Sequence, residues 1–288
     1  LRGHPQIPMP GPLGHEYSGV VVSAGPSTGF SAGDAVMGVH SAPCGACMMC
    51  LAGQDNLCDS IMETKVLGAY AEYLVIPERI ATKNLYAKPD DLSFNRAALL
   101  EPLSCVAHGL HMISPRVTDR VLVIGPGAIG LMFVAALRAI GVVDVTLLGR
   151  NRQRMETGEA MGGRPVLADD HRSIPTRGYD VVIECTGKVD VWESSIDYVR
   201  RGGKLVLFGG CPTGTKVSFD TARVHYDQIS ILSPFHFGLS AVRQARHWIL
   251  DKAIPLDLLI TAERSLEDAR RVFADLQAGI GIKYAFKP

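Results

Sequence analysis

The sequence predicts an α/β protein of two domains, one of which is built around a parallel sheet. Its 288 residues are 47% hydrophobic and 20% charged, a composition that suits two packed cores. From about residue 120, apolar strand-like runs alternate with helical patterns, as they do in βαβ units. A glycine-rich turn between Gly125 and Gly130 directly follows the first of these runs.

The first ninety residues have a different pattern of apolar residues, glycines and prolines. Short β-like runs at 15–24, 35–39 and 70–76 are separated by frequent Gly and Pro, which predicts an irregular, mostly β domain. The chain opens at Leu1 without a basic and then apolar signal segment, and we expect the natural N-terminus to lie upstream.

The second half predicts strands and helices in alternation. Its most apolar stretch, 121–148, is interrupted by glycines and charges and is therefore interpreted as buried strand and helix, not as a membrane span. Near the end, Ser265 to Asp268 resembles a capping box before a helix that stops at Gly279, and a last strand is expected at 282–286. The predicted strands of the parallel sheet are 120–124, 144–148, 179–184, 204–208 and 228–232.

The charge balance narrows the class of partner. Lys plus Arg equals Asp plus Glu at 29 each, so no overall field draws the protein to nucleic acid or to an anionic membrane. We therefore expect a small, weakly charged substrate and no nucleic-acid or membrane partner. The lack of a signal segment and the clustering of the cysteines lead us to expect a cytoplasmic location.

A dinucleotide site is predicted by the GxGxxG pattern at the end of the first strand of the sheet. Gly125 would make the tight turn, Gly127 would let the backbone approach a pyrophosphate, and Gly130 would allow close packing of helix on strand. The helix that starts at Ala128 and Ile129 would point its positive end at the phosphates. A glycine-rich turn without ligand is the alternative.

The next strand ends without the carboxylate that binds the ribose 2′-hydroxyl of NAD. Gly149, Arg150 and Arg152 follow it instead. Guanidinium groups pair with a 2′-phosphate through charge-assisted hydrogen bonds. We therefore predict that NADP(H) is preferred over NAD(H), with a solvated basic loop as the alternative.

Four of the seven cysteines, Cys44, Cys47, Cys50 and Cys58, lie within fifteen residues of one another. Such clustering indicates metal binding in a reducing compartment more than disulfides. Four thiolates from one loop suit a closed, structural zinc site. An iron–sulfur loop would have a shorter last spacing followed by Pro, and a nucleic-acid zinc ribbon would have basic surroundings. Unliganded core cysteines are the remaining alternative.

A second candidate metal site is suggested by two short motifs. Gly14-His15-Glu16 offers an imidazole beside a carboxylate, and Glu101 precedes Pro102 just before the parallel-sheet domain. Each motif alone is equally typical of a satisfied polar pair or a helix cap.

In their order along the chain these motifs resemble the medium-chain zinc dehydrogenases, and most closely their sorbitol, threonine and polyol dehydrogenase branch. The resemblance covers nearly the whole chain. It depends on GHE (14–16), GDxV (33–36), CGxCxxCxxGxxNxC (44–58), Leu-Glu-Pro (100–102) and GPGAIG (125–130), with further matching stretches at 225–226 and 235–236.

The resemblance implies a GroES-like, mostly β catalytic domain over 1–103 and 238–288, with its N-terminal part missing, and a Rossmann doubly wound domain over 104–237. The active site would lie in the cleft between them. A catalytic zinc would be held by His15, Glu16 and a Cys upstream of Leu1, with Glu101 at the metal directly or through water. The resemblance also implies a homodimer or homotetramer.

The implied function is hydride transfer between NADP(H) or NAD(H) and a secondary alcohol or polyol, which is sorbitol-, threonine- or cyclitol-like. Zinc would act as a Lewis acid on the alcohol oxygen, and the nicotinamide would accept the hydride. A non-catalytic NADPH-binding protein and a zinc-free reductase, each keeping only the structural zinc, stay open as alternatives.

Overall fold

The computed structural model describes residues 11–288, and for His171 and Arg172 the backbone alone. The described chain divides into two compact units. We call residues 11–108 with Phe235–Pro288 the cysteine unit, and Gly109–Pro234 the six-stranded unit. The predicted domain boundaries at 103/104 and 237/238 stay a prediction. Among the described residues, no helix is long and apolar enough to cross a membrane.

The secondary structure follows the predicted alternation from residue 120 onward. The strands are β1 Tyr17–Val20, β2 Ala35–Gly38, β3 Leu85–Ala87, β4 Arg120–Ile124, β5 Asp144–Gly149, β6 Arg164–Leu167, β7 Tyr179–Glu184, β8 Val199–Leu207, β9 Ser230–Leu232, β10 Ile260–Arg264 and β11 Lys283–Phe286. The α-helices are α1 Met48–Leu51, α2 Glu78–Asn84, α3 Phe94–Ala97, α4 Leu100–Ile113, α5 Ala128–Ala139, α6 Arg152–Ala160, α7 Val189–Ser195, α8 Thr221–Tyr226, α9 Leu239–Leu250 and α10 Ala269–Gln277. Short 3₁₀ helices lie at Asp55–Leu57, Ala168–Ser173, Ile196–Tyr198, Leu256–Leu259 and Leu266–Asp268.

The six-stranded unit is a parallel sheet with the strand order β6-β5-β4-β7-β8-β9. The chain begins this sheet in the middle, at β4, builds outward to β6, and then crosses to β7 on the other side. In such sheets ligands bind beyond the carboxyl ends of the strands at the point where the order reverses, here between β4 and β7. The predicted doubly wound α/β fold is confirmed.

The core of this unit lies on both faces of the sheet. Residues 121–123 of β4 are fully buried, which matches the continuous apolar runs of strands that are covered on two sides. Helix α5 packs on β4 and β5, and seven of its residues from Leu131 to Leu137 are buried. Its all-round apolar surface is typical of a helix inside a domain.

The cysteine unit contains an antiparallel sheet, β1-β2-β3, and a parallel pair, β10-β11. The strands predicted at 15–24 and 35–39 form as the shorter β1 and β2, but the strand predicted at 70–76 is wrong. Among the described residues no strand pairs with it, and Tyr73 and Val75 are 73% and 88% exposed. Leu74 and Ile76 instead pack against a small core cluster of Ala42, Val66 and Ile80, so the apolar alternation buries one side of the segment without strand pairing.

The C-terminal part of the chain completes the cysteine unit. The predicted helix forms as α10, but Ser265 makes no side-chain cap and precedes a 3₁₀ turn instead. The predicted last strand forms as β11, which pairs in parallel with β10.

Candidate dinucleotide site and metal centres

The glycine-rich turn lies at the switch point of the sheet, between the carboxyl end of β4 and the start of α5. Gly125 has φ +106°, and its N–H donates to Leu148 O at 2.9 Å. A Cβ at Gly130 would overlap the carbonyl oxygen of Gly125, whereas a Cβ at Gly127 would meet no atom within 4 Å. Gly125 is therefore required for its backbone conformation and Gly130 for close packing, whereas Gly127 leaves open space beside the turn.

These surroundings fit a bound dinucleotide. Helix α5 begins at Ala128, and its N-cap residue Gly127 has no side chain to cap the helix, so the amides of Ala128 and Ile129 lie at an uncapped helix N-terminus. Such an end is a suitable place for a pyrophosphate. Glu184, at the end of the neighbouring β7, accepts hydrogen bonds from the N–H groups of Thr186 and Gly187 instead of facing solvent.

The predicted 2′-phosphate residues follow β5, the strand beside β4. A Cβ at Gly149 would overlap the ring of Pro126, so this position packs the glycine-rich turn against β5. Arg150 and Arg152 are exposed, and the Asn151 side chain between them accepts from Arg154 N at 3.1 Å to cap α6. Both guanidinium groups are therefore exposed beyond the carboxyl end of β5, and no acidic side chain among the described residues pairs with them.

The four clustered cysteines converge in the cysteine unit, and within the described residues they form no disulfide. Their Sγ atoms are 3.9 Å apart for Cys44 and Cys50 and 3.5 Å for Cys47 and Cys50. Four sulfurs bound tetrahedrally to zinc at about 2.3 Å would be about 3.8 Å apart. The cluster therefore fits a closed zinc site.

Backbone N–H groups donate hydrogen bonds to two of these sulfurs and so stabilise the thiolate form. Cys58 Sγ accepts from Cys44 N at 3.2 Å, and Cys44 Sγ accepts from the N–H groups of Ala46 and Cys47 at 3.4 and 3.3 Å. The bonds from Ala46 and Cys47 lower the pKa of Cys44 to about 6. A thiolate is the form that binds zinc.

A second group of possible metal ligands is formed by His15, His40 and Glu101, whose ligand atoms all lie within 4.8 Å of one another. Glu101 Oε1 is 3.3 Å from His40 Nδ1 and 3.8 Å from His15 Nε2. Zinc with tetrahedral bonds of about 2.1 Å would hold such atoms about 3.4 Å apart. Sequence reasoning found His15 and Glu101 but missed His40, which belongs to none of the quoted motifs.

Glu101 is buried in the first turn of α4, where its carboxylate is favoured by the helix N-terminus. Burial alone would raise the pKa of Glu101. The contact with His40 and the nearby imidazoles outweigh this effect, and the pKa is lowered overall to about 2. The Cys105 thiol, one turn later, donates to the same oxygen at 3.8 Å. The group therefore contains one fixed negative charge facing two imidazoles, an arrangement that suits a cation.

His236 adds a third imidazole beside this group. Its ring centroid is 5.0 Å from that of His40 and its Nε2 lies 2.6 Å from Ser41 Oγ. Burial, and then His40, lower its pKa to about 3, so it is neutral at pH 7. Its φ of +62° lies in the left-handed region, which residues other than Gly adopt less often.

Glu16 is not brought into this group, in contrast to the ligand set that the resemblance implies. Its two carboxylate oxygens lie 2.8 and 2.6 Å from Lys283 Nζ. An acidic side chain in an ion pair is a poorer metal ligand because the pair must first be broken. The role of Glu16 as a zinc ligand thus stays a prediction.

Two protein families match this chain over separate ranges of residues. The family described as "Alcohol dehydrogenase GroES-like domain" matches residues 1–89, and the family described as "Zinc-binding dehydrogenase" matches residues 128–251. An L-threonine 3-dehydrogenase from Paraburkholderia phymatum is 31% identical over 284 residues, which cover 95% of this chain and 81% of that protein.

Solved structures show the same fold. A protein from Sinorhizobium meliloti 1021, described as a zinc-binding dehydrogenase and bound to NADP, has a TM-score of 0.88 and 28% identity, covering 98% of this chain and 86% of its own. An alcohol dehydrogenase from Thermus sp. ATN1 has a TM-score of 0.85 at 24% identity, covering 94% and 82%. The chain belongs to the zinc-dependent medium-chain family of NAD(P)-dependent alcohol and polyol dehydrogenases, with a GroES-like and a Rossmann-type domain.

Proposed function

We propose that this protein transfers a hydride between a secondary alcohol or polyol and a nicotinamide dinucleotide, with NADP(H) preferred, at a zinc ion held by His15 and Glu101. The observation that carries the proposal is the buried carboxylate of Glu101, which faces the imidazoles of His15 and His40 at 3.8 and 3.3 Å. Neither histidine has another acidic side chain within ion-pair distance among the described residues.

The chemistry of these donors suits a catalytic metal. A bound zinc ion supplies Lewis acidity that favours the alkoxide form of an alcohol near neutral pH. Glu101 holds the cation with a charge that cannot turn to solvent, because its side chain is only 5% exposed. The His15 side chain is 42% exposed, so this side of the group is accessible to a small substrate. An accessible position is what distinguishes a catalytic site from a closed one.

The cofactor is assigned to the glycine-rich turn and the edge beyond β5. The open space at Gly127 and the unobstructed start of α5 suit the pyrophosphate, and the exposed Arg150 and Arg152 suit a 2′-phosphate. A 28% identical relative is bound to NADP, which supports the preference.

The substrate is proposed to be small and to carry a secondary hydroxyl. The net charge of zero offers no long-range attraction for a highly charged ligand, and the similar proteins include one named for L-threonine. Sorbitol-, threonine- and cyclitol-like alcohols all meet this description. The cytoplasmic location and the homodimeric or homotetrameric state stay predictions.

The experiment that tests the proposal measures zinc per chain and alcohol oxidation on the full chain. We expect about two zinc atoms in the wild type and about one in His15→Ala, together with loss of dinucleotide reduction. One zinc atom in both proteins would favour the non-catalytic alternative. Full activity of a verified metal-free sample would overturn the proposal in favour of a zinc-free reductase.

A further inference from the structure

We propose that His40 is itself a ligand of the catalytic metal, so that this chain contributes two imidazoles and the Glu101 carboxylate. The inference rests on the proposed function and deepens it by assigning a ligand that none of the quoted motifs contains. Two histidines with one glutamate form a ligand set that catalytic zinc sites use.

His40 lies two residues after the end of β2, where backbone hydrogen bonds fix the chain. Val39 N donates to Asn84 O at 3.3 Å, and His40 O accepts from Val66 N at 2.7 Å. Asn84, itself buried, donates its side-chain amide to Ser41 O at 2.8 Å. The residues on both sides of His40 are therefore fixed by the core, and the imidazole projects from a rigid segment.

The imidazole carries a polar atom that the protein itself leaves without a hydrogen bond. His40 is 7% exposed, and its Nδ1 is buried with no hydrogen-bond partner among the described residues. This nitrogen is nevertheless 3.3 Å from Glu101 Oε1. Buried polar atoms nearly always have a partner, so a buried nitrogen this close to a carboxylate is a suitable place for a cation that both groups bind.

The neighbouring rings fix the direction of this nitrogen. The His40 ring meets Phe237 edge to face at 5.7 Å and 88°, and His236 at 5.0 Å and 75°. His236 is held in turn by Ser41 Oγ and by stacking on Phe237 at 4.1 Å. On the remaining side His15 lies 4.9 Å away. Metal ligands are commonly oriented by such surrounding contacts.

Glu16 is the acidic side chain that would otherwise compete with His40 for the metal. Lys283 holds both oxygens of Glu16 within 2.8 Å, so the carboxylate next to His15 in sequence is already paired. His40 offers a donor atom at the distance from Glu101 that a shared zinc requires. Imidazole nitrogens and carboxylate oxygens are both ligands that zinc accepts.

The direct test locates zinc in crystals of the zinc-loaded full chain by anomalous scattering. We expect a peak about 2.1 Å from His40 Nδ1, in addition to one at the four cysteines. A peak bound to His15 or Glu101 but more than about 3 Å from both nitrogens of His40 would overturn the inference and leave the proposed function intact.

A second test counts zinc in variants after loading with zinc alone. His40→Phe keeps an aromatic ring and is expected to fall from about two zinc atoms to about one, while His247→Phe, the matched control at an exposed histidine of α9, keeps about two. Two zinc atoms in His40→Phe would overturn the inference. Retention of two in His15→Ala would instead overturn the proposed catalytic site, so the two failures are distinguishable.

Discussion

The carboxylate of Glu16 is paired with the ammonium group of Lys283, with Oε2 and Nζ 2.6 Å apart, across 267 positions of sequence. Both side chains are mostly buried, at 27% and 21% exposure. Burial alone lowers the pKa of Lys283, but Glu16 raises it above the ordinary value overall, so the lysine stays charged. The pair joins β11 to the segment that carries His15.

Removal of the lysine charge should therefore destabilise the cysteine unit. In Lys283→Met the Glu16 carboxylate would be left largely buried without a counter-ion, and we expect the free energy of unfolding to fall by about 1–3 kcal/mol. Urea unfolding of the full chain measures this. Lys287→Met, which changes an exposed lysine of the same segment, should have almost no effect.

A double-mutant cycle shows whether the effect arises from the pair. Glu16→Gln combined with Lys283→Met should be less destabilised than the sum of the two single variants, because the combination leaves no unpaired charge. Strict additivity would mean that the two side chains act independently.

The glycines of the dinucleotide turn should separate binding from stability. At Gly127 an added methyl group meets no protein atom, and φ is −78°, so Gly127→Ala should fold normally. The methyl group would occupy space that the pyrophosphate needs, and the Kd for NADPH should rise by about tenfold or more. Fluorescence titration with NADPH measures this change.

At Gly130 the same substitution should act on the fold, because the methyl group would overlap the carbonyl oxygen of Gly125. We expect Gly130→Ala to lose about 1–3 kcal/mol of stability. If both variants lost stability equally while binding stayed normal, the different roles of the two glycines would be refuted.

The parallel sheet was predictable from sequence because its signals are local. Strand β4 carries an unbroken apolar run, and the glycines at its end have requirements that neighbouring residues alone reveal. The run at 70–76 has an equally good pattern, yet it forms no strand among the described residues. Pairing depends on a partner strand, which a local pattern does not contain.

The candidate metal site was predictable only in part, for the same reason. His15 and Glu101 belong to motifs, whereas His40 reaches them through the fold, 61 positions before Glu101, and His236 lies 195 positions after Ser41. The pairing of Glu16 with Lys283 likewise joins distant segments. The histidine at position 40, four residues before Cys44, is the local signal that the sequence offers for this ligand.

The four-cysteine cluster should hold a zinc ion that supports structure without taking part in the reaction. Cys50 lies close to both Cys44 and Cys47, so Cys50→Ser should lose about one zinc atom per chain and several kcal/mol of stability. Elemental analysis and thermal unfolding measure the two effects. Cys211→Ser, outside the cluster, should retain both zinc atoms, and equal zinc content in the two variants would contradict the assignment.

The two arginines after β5 should determine which dinucleotide is used. Replacing Arg150 and Arg152 by Ser removes the groups that would pair with a 2′-phosphate, while the backbone turn at Gly125 stays intact. We expect kcat/KM for NADP to fall by about tenfold or more and that for NAD to change little, since charge-assisted hydrogen bonds contribute about 1.5–3 kcal/mol. Arg201→Ser is the matched control, because this exposed arginine lies near the amino end of β8, at the opposite edge of the sheet. An equal loss with both dinucleotides would show that the arginines do not recognise the 2′-phosphate.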